Sequence, residues 1–286
     1  MSLERFVCTA AMMENRNLSP EVWASLGIQT PEDLHLRPET LTRAAEAGRE
    51  AGWVFLPFCN TLCAEALGAE PTLSMDGARV RTPPYNRVED LPQAPGPDTP
   101  RMSAMWEAMD QLRDAGERVA YEIEGPFTLL STLLPMGRMF AALRKPAGQD
   151  LLRRAEDWVC AYAKEAVRHG AQLLSYSDAV ATVEVLGEKT YRAQFLPCFK
   201  SALGRLRREL PEVPLHLCGK TTQSLLDTDS VRCVRWEPQE PCVTYGDALN
   251  AWFGAGDYDG LPGQYCLNLL RAKRPWLTLL YFEEET

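Results

Sequence analysis

The sequence predicts an α/β domain with a parallel sheet, closed as a (β/α)8 TIM barrel that is either complete or trimmed at its C-terminus. Three observations carry that expectation. Short apolar runs alternate with longer segments of helical period along the chain. The length of 286 residues suits one large α/β domain spanning 1–286. No Gly-x-Gly-x-x-Gly follows the first strand candidate, which removes the main support for an open nucleotide-binding sheet. Gly219–Lys220–Thr221 echoes a phosphate loop only superficially, because Pro214 stands where that loop needs its first glycine.

The elements follow in order. "AGWVFLPF" (51–58) reads as a buried strand, and "NTLCAEALGAE" as a helix capped by Asn60 or Thr61. Residues 71–100 are rich in proline and poor in periodic apolar positions, so a long excursion is expected there rather than a regular crossover. "RVAYEIEGP" (118–126) is a strand ending in a Gly-Pro turn, with a helix over "FTLLSTLLPMGRMFAAL". A long amphipathic helix spans 147–170, with Gly170 suited to its C-terminal cap. "AQLLSYSD" (171–178) and "VPLHLCG" (213–219) are strands with a helix between them. "SVRCVRWEP" and "RPWLTLLYF" are further strands around a short helix, "YGDALNAWFG". About seven strands can be counted, one fewer than a full barrel needs.

Composition narrows the partners. Hydrophobic residues make up 45% and charged residues 24%, an ordinary globular balance. The net charge of −9, with no basic stripe carrying interleaved aromatics, argues against nucleic acid and anionic membranes. No apolar stretch approaches the roughly 18 residues of a membrane span. The opening "MSLERFVCTAAMMENRN" does not read as a signal peptide, and nine cysteines without an export signal read as reduced thiols, so a cytoplasmic location is expected.

In either α/β architecture the functional rim lies where strands run out into the following loops. Strand polarity therefore puts Cys59–Asn60, Glu124–Gly125, Ser177–Asp178 and His216–Cys218 on one rim. Glu124 reads as a rim carboxylate or a strand end paired with a cation. Asp178 orients His216, contacts substrate or caps the segment that follows it. His216 and Cys218, two apart on a strand, point to the same side and can share one zinc ion. A catalytic zinc needs a third protein ligand, for which Cys266 in "LPGQYCLN" leads, with Cys242 and Cys233 competing. The plain alternative is a histidine and a cysteine packed in an apolar strand. His35 and His169 lack ligand spacing and read as a surface residue and a helix-end residue.

"FLPFCNTLCAEALGAE", "YEIEGPFTLLSTLL", "YSDAVATVEVLGEKTYRAQFLPCFKSAL" and "PLHLCGKT" occur in one order over residues 40–222. In that order they resemble the uroporphyrinogen decarboxylase superfamily, and within it the methylcobalamin:coenzyme M methyltransferases. The resemblance implies a (β/α)8 barrel and a zinc site built from His216, Cys218 and a distant cysteine, here Cys266. It further implies a zinc-held thiol, coenzyme M or a related acceptor, that takes a methyl group from methylcobalamin carried on a corrinoid protein partner. Glu124 and Asp178 are then expected beside the substrate. The arginine-bearing N-terminal segment of true uroporphyrinogen decarboxylases is reduced here to "AAEAGREAGW", with one arginine. Tetrapyrrole decarboxylation is accordingly the alternative activity, and a non-catalytic corrinoid- or tetrapyrrole-binding barrel the non-enzymatic one.

Overall fold

A computed structural model describes residues 5–6, 18–56, 61–75 and 77–282. The rim positions Cys59 and Asn60 lie outside the described residues. The strands, in chain order, are β1 (Trp53–Phe55), β2 (Thr72–Ser74), β3 (Gly77–Arg79), β4 (Arg118–Glu124), β5 (Ala171–Ser177), β6 (Leu215–Leu217), β7 (Val231–Trp236), β8 (Leu261–Gly263) and β9 (Leu277–Phe282).

Strands β1, β4, β5 and β6 form a parallel sheet in that order, with a helix following β4 and another preceding β5. The mixed α/β class with a parallel sheet is thus what the alternating pattern required. The long helix is Gly148–Arg168, whose Leu151, Leu152, Ala155, Trp158, Val159, Tyr162, Ala163 and Ala166 are buried at helical spacing. Each large side chain of that stripe contributes about 1.5–3 kcal/mol by leaving water. Its backbone ends at His169, and Gly170 takes φ 109°, a conformation that disfavours side chains. The helix expected over "FTLLSTLLPMGRMFAAL" is two helices, Pro126–Leu133 and Met136–Leu143. Pro135 is the cause: it offers no N–H to the preceding turn and holds Leu134 extended at ψ 145°.

The sheet has two unlike faces. Residues opposite one another in neighbouring strands point the same way. Val54, Tyr121, Ile123, Leu174, Tyr176, Leu215 and Leu217 lie on one face and join the main core with the long helix. The other face is apolar only at its base, where Trp53, Ala120 and Leu173 are covered by Tyr245, Ala248, Leu249 and Trp252 of the helix Tyr245–Ala255. Trp53 Nε1 donates to Asn250 Oδ1 at 2.8 Å, and Asn250 Nδ2 donates to the Ala51 carbonyl at 2.6 Å, which fix this helix in place. Toward the C-terminal ends of the strands the same face becomes polar: Glu122, Glu124, Ser175, Ser177 and His216.

The C-terminal third departs from the expected repeat. β7 and β9 pair antiparallel, and β8 pairs antiparallel with the other side of β9. β8 is three residues long with a proline at its centre, and so carries no strand signature in the sequence. Among the described residues the ladders do not extend to an eight-stranded parallel ring. The excursion at 71–100 contains a short antiparallel hairpin, β2–β3, and no crossover helix.

His35, expected at the surface, is fully buried. Its Nε2 donates to the Ser74 carbonyl at 2.9 Å and its Nδ1 accepts from Arg101 Nε at 3.4 Å. Burial pushes its pKa down to about 4, so it is a neutral linker between two helices and the hairpin. Arg101 pairs with Glu65 in the same buried cluster, and Thr61 bonds to both.

Candidate active site

Sheet register assembles the rim. Glu124 lies opposite Ser177, Ser175 opposite His216, and Tyr176 opposite Leu217. Beyond the ladder, Gly125 N–H donates to the Ser177 carbonyl at 2.8 Å and Cys218 N–H to the Tyr176 carbonyl at 2.9 Å. Glu124, Asp178, His216 and Cys218 therefore arrive on adjacent strand ends, as strand polarity required.

Asp178 has a definite task. Its Oδ1 accepts the Thr128 N–H at 2.8 Å and the Thr128 hydroxyl at 2.7 Å, and its Oδ2 accepts the Phe127 N–H at 3.2 Å. These are first-turn groups of the helix Pro126–Leu133, whose own cap residue, Gly125, has no side chain to offer. Asp178 is a cap supplied by the neighbouring strand, holding β5 to the helix after β4. Burial raises its pKa to about 6, against the lowering effect of Thr128 and Phe127. Its neighbour Gly125 is a contact glycine: a Cβ there would stand 2.3 Å from Asp178 Oδ2 and 2.5 Å from the Tyr176 hydroxyl.

Glu124 is buried, and its Oε1 has no hydrogen-bond partner among the described residues. Burial holds its pKa well above the usual carboxylate range, and the carboxylates of Asp178, Glu122 and Glu65 push the same way. The shift favours its protonated form, which can donate one hydrogen bond. Cys63 stands near it as an inert thiol, raised well above its ordinary value by burial and then by Glu124.

His216 is fully buried with both ring nitrogens engaged: Nδ1 with Ser175 Oγ at 3.0 Å and Nε2 with the Tyr245 hydroxyl at 3.1 Å. Cys218 precedes the helix Gly219–Asp227. Burial and Glu122 raise its thiol pKa, while the Ser177 hydroxyl and the N–H groups of Lys220 and Thr221 oppose them. Cys266 caps a short 3-10 turn, its sulfur accepting the Asn268 N–H at 3.4 Å. Tyr265, beside it, packs on the Tyr245 ring at 5.3 Å, so Tyr245 stands between His216 and the Cys266 segment. Among the described residues no group of three or more His, Cys, Asp or Glu side chains is placed to hold a metal ion. As they stand, His216, Cys218 and Cys266 do not fit a three-ligand zinc site.

Two members of this site escaped the sequence. Tyr245 begins a helix and looks like a core aromatic there. Ser175 carried a usable signal, since it shares the strand face of Ser177 and lies opposite His216. Among the described residues no helix is long and apolar enough to cross a membrane.

Comparison with known proteins identifies relatives of the chain. Residues 33–236 match the uroporphyrinogen decarboxylase (URO-D) family. The methylcobamide:CoM methyltransferase MtaA of Methanosarcina barkeri is 30% identical over 225 residues, covering 72% of this chain and 63% of that protein. The methylcobamide:CoM methyltransferase MtbA of Methanosarcina mazei is 27% identical over 215 residues, covering 69% of this chain and 61% of its own length. A solved methyltransferase structure from Methanosarcina mazei superposes with a TM-score of 0.60 at 25% identity, covering 73% of this chain and 64% of that one. The chain thus spans less than two thirds of the length of these relatives.

Proposed function

The chain belongs to the uroporphyrinogen decarboxylase family, and from that premise we propose that it is a methyltransferase. It would move a methyl group between a corrinoid carried on a separate protein and a small thiol such as coenzyme M. The observation that carries this reading is the shared activity of its relatives, MtaA and MtbA, both methylcobamide:CoM methyltransferases. The polar rim supports it over tetrapyrrole decarboxylation. None of the rim residues Glu122, Glu124, Ser175 and Ser177 is a cation that could hold a substrate bearing many carboxylates.

In the reaction the thiol loses its proton, its sulfur bonds the methyl carbon, and the carbon–cobalt bond breaks with its electron pair left on cobalt. The residues of this chain would position that exchange. Asp178 fixes the Gly125–Thr128 turn through the helix cap, and Ser175 and Tyr245 fix the His216 ring between them. Glu124, its pKa raised by burial and its Oε1 without a hydrogen-bond partner among the described residues, is the group we propose to face substrate. His216, Cys218 and Cys266, the ligands that the resemblance implies for zinc, do not come together as a three-ligand group among the described residues.

The test is anaerobic incubation of the purified chain with methylcobalamin and 2-mercaptoethanesulfonate, with zinc content measured alongside. Conversion of the methylcobalamin spectrum to that of demethylated cobalamin, with formation of the methyl thioether, is the expected result. Failure of the purified chain to form the thioether, with methylcobalamin either free or on a corrinoid protein, would overturn the reading.

A further inference from the structure

Only two arginines among the described residues are nine-tenths buried or more, and they are housed differently. Arg101, 3% exposed, has the Glu65 carboxylate as its counter-ion. Arg274, 7% exposed, has no carboxylate within ion-pair distance among the described residues. Its Nη2 donates to Gln264 Oε1 and to Thr278 Oγ1, each at 2.9 Å, and both partners are neutral. Its Nε has no hydrogen-bond partner among the described residues. Its guanidinium lies 4.3 Å from the Tyr265 ring centre and 5.1 Å from that of Trp276. Arg235, which also lies over the Trp276 ring, has Glu237 at 2.7 Å.

A buried guanidinium without a counter-ion is costly, and proteins otherwise pair such charges. Here the surroundings are also built to hold it. Gln264 is buried with φ 68°, a conformation rare for a residue with a side chain. Such strain persists only where neighbouring contacts over-determine it. Thr278 donates to Gln264 Oε1 at 2.7 Å, so Gln264, Thr278 and Arg274 form a closed triangle that leaves the guanidinium charge unneutralised. The triangle lies beside the candidate site: Arg274 stacks on Tyr265, Tyr265 packs on Tyr245, and Tyr245 bonds to His216. All of Gln264, Arg274 and Thr278 lie beyond the family match, which ends at residue 236.

We propose that Arg274, oriented by Gln264 and Thr278, binds the anionic head group, a sulfonate or carboxylate, of the thiol that accepts the methyl group. The assignment of that anion to the acceptor rests on the methyltransferase reading. An arginine fork matches the planar or tetrahedral array of oxygens on such a head group, and the stacked rings exclude water from it. The thiol end of a short acceptor then extends toward Tyr245 and His216.

Ethanesulfonate, which has the head group and no thiol, tests the site without any chemistry. It is titrated by calorimetry into the wild-type chain, Arg274→Lys and Arg274→Gln, with propionate and neutral ethanol as companion probes. Circular dichroism confirms the fold of each variant. The expected result is saturable binding of ethanesulfonate or propionate but not ethanol, weakened about tenfold or more in both variants. Arg274→Lys keeps a cation in the pocket, so it serves where Arg274→Gln fails to fold. Absence of anion binding in the wild-type chain, or equal binding in the folded variants, overturns the proposal. Kinetics separate it from the parent reading: the preference for 2-mercaptoethanesulfonate over 2-mercaptoethanol, as a ratio of kcat/KM, falls about tenfold in Arg274→Lys. Arg274-dependent ethanesulfonate binding without methyl transfer to any thiol would retain the anion site and discard the methyltransferase. Methyl transfer with an unchanged preference in Arg274→Lys would do the reverse.

Discussion

Replacing Asp178 with asparagine tests the rim through stability and its dependence on pH. The carboxylate is fully buried and accepts three hydrogen bonds from Phe127 and Thr128, yet burial still holds its pKa at about 6 against an ordinary 3.8. The folded value lies above the unfolded one, so between those values the folded chain binds a proton that the unfolded chain has released. This contribution to stability is fully present below about pH 4 and is lost as pH rises through about 6. Between 3.8 and about 6, at ~1.36 kcal/mol per pH unit, the loss amounts to about 3 kcal/mol. Asparagine has the same shape and does not titrate. Subtracting its stability removes the carboxylates that behave alike in both chains, such as Asp33 and Asp247, which hydrogen bonds hold low. The burial of Glu124, the leading cause of its raised value, is the same in both. Urea unfolding of both chains from about pH 4 to about pH 8 gives the difference, wild type minus Asp178→Asn. It should fall by about 3 kcal/mol across the lower half of that range and then level off. A difference that stays flat or rises with pH would show that the helix-cap bonds outweigh desolvation, and would refute the placing of Asp178 in a dry rim.

Gly125→Ala forces a Cβ to within 2.3 Å of Asp178 Oδ2 and 2.5 Å of the Tyr176 hydroxyl, both on buried side chains. Chemical denaturation should show a loss of about 1–3 kcal/mol, with unchanged stability contradicting the packing. Arg101→Ala leaves Glu65 buried and unpaired, and a loss of about 3–5 kcal/mol is expected on the same assay. A loss under about 1 kcal/mol would mean that the pair is solvated. Tyr245→Phe removes the hydroxyl from His216 Nε2. Losing this buried hydrogen bond should cost about 1 kcal/mol of stability on the same assay, and unchanged stability would contradict the contact.

What could be read from the sequence follows from where the information resides. β1, β4, β5 and β6 were legible because their core-facing side chains are long apolar runs, and the helices because their buried stripes repeat at helical spacing. Glu124, Asp178, His216 and Cys218 were legible for the opposite reason: polar residues at the ends of otherwise apolar strands mark the rim. The roles of these residues were much harder to read. That Asp178 caps the helix after the preceding strand depends on Gly125 having no side chain and on two strands standing side by side, a relation between residues 50 apart. The antiparallel C-terminal sheet was hidden because β7 and β9 carry the same apolar signature whichever way they pair, and β8 shows almost none.

The same distinction explains why His216 and Cys218 could be paired from the sequence, while no three-ligand group forms with Cys266 among the described residues. Spacing alone put His216 and Cys218 on one side of a strand, which concerns the two residues and the strand between them. A third ligand is a statement about the whole C-terminal third, and there the chain departs from the expected repeat. The helix Tyr245–Ala255 lies across the base of the polar face, and its first residue puts a hydroxyl on His216 Nε2. The segment carrying Cys266 packs on that tyrosine through Tyr265, beside Arg274, which has no carboxylate within ion-pair distance among the described residues. A catalytic rim read strand by strand will find its donors wherever the parallel repeat holds. Where the repeat gives way, the functional groups are those that the new packing brings in, here Tyr245 and Arg274, and neither resembles a ligand in isolation.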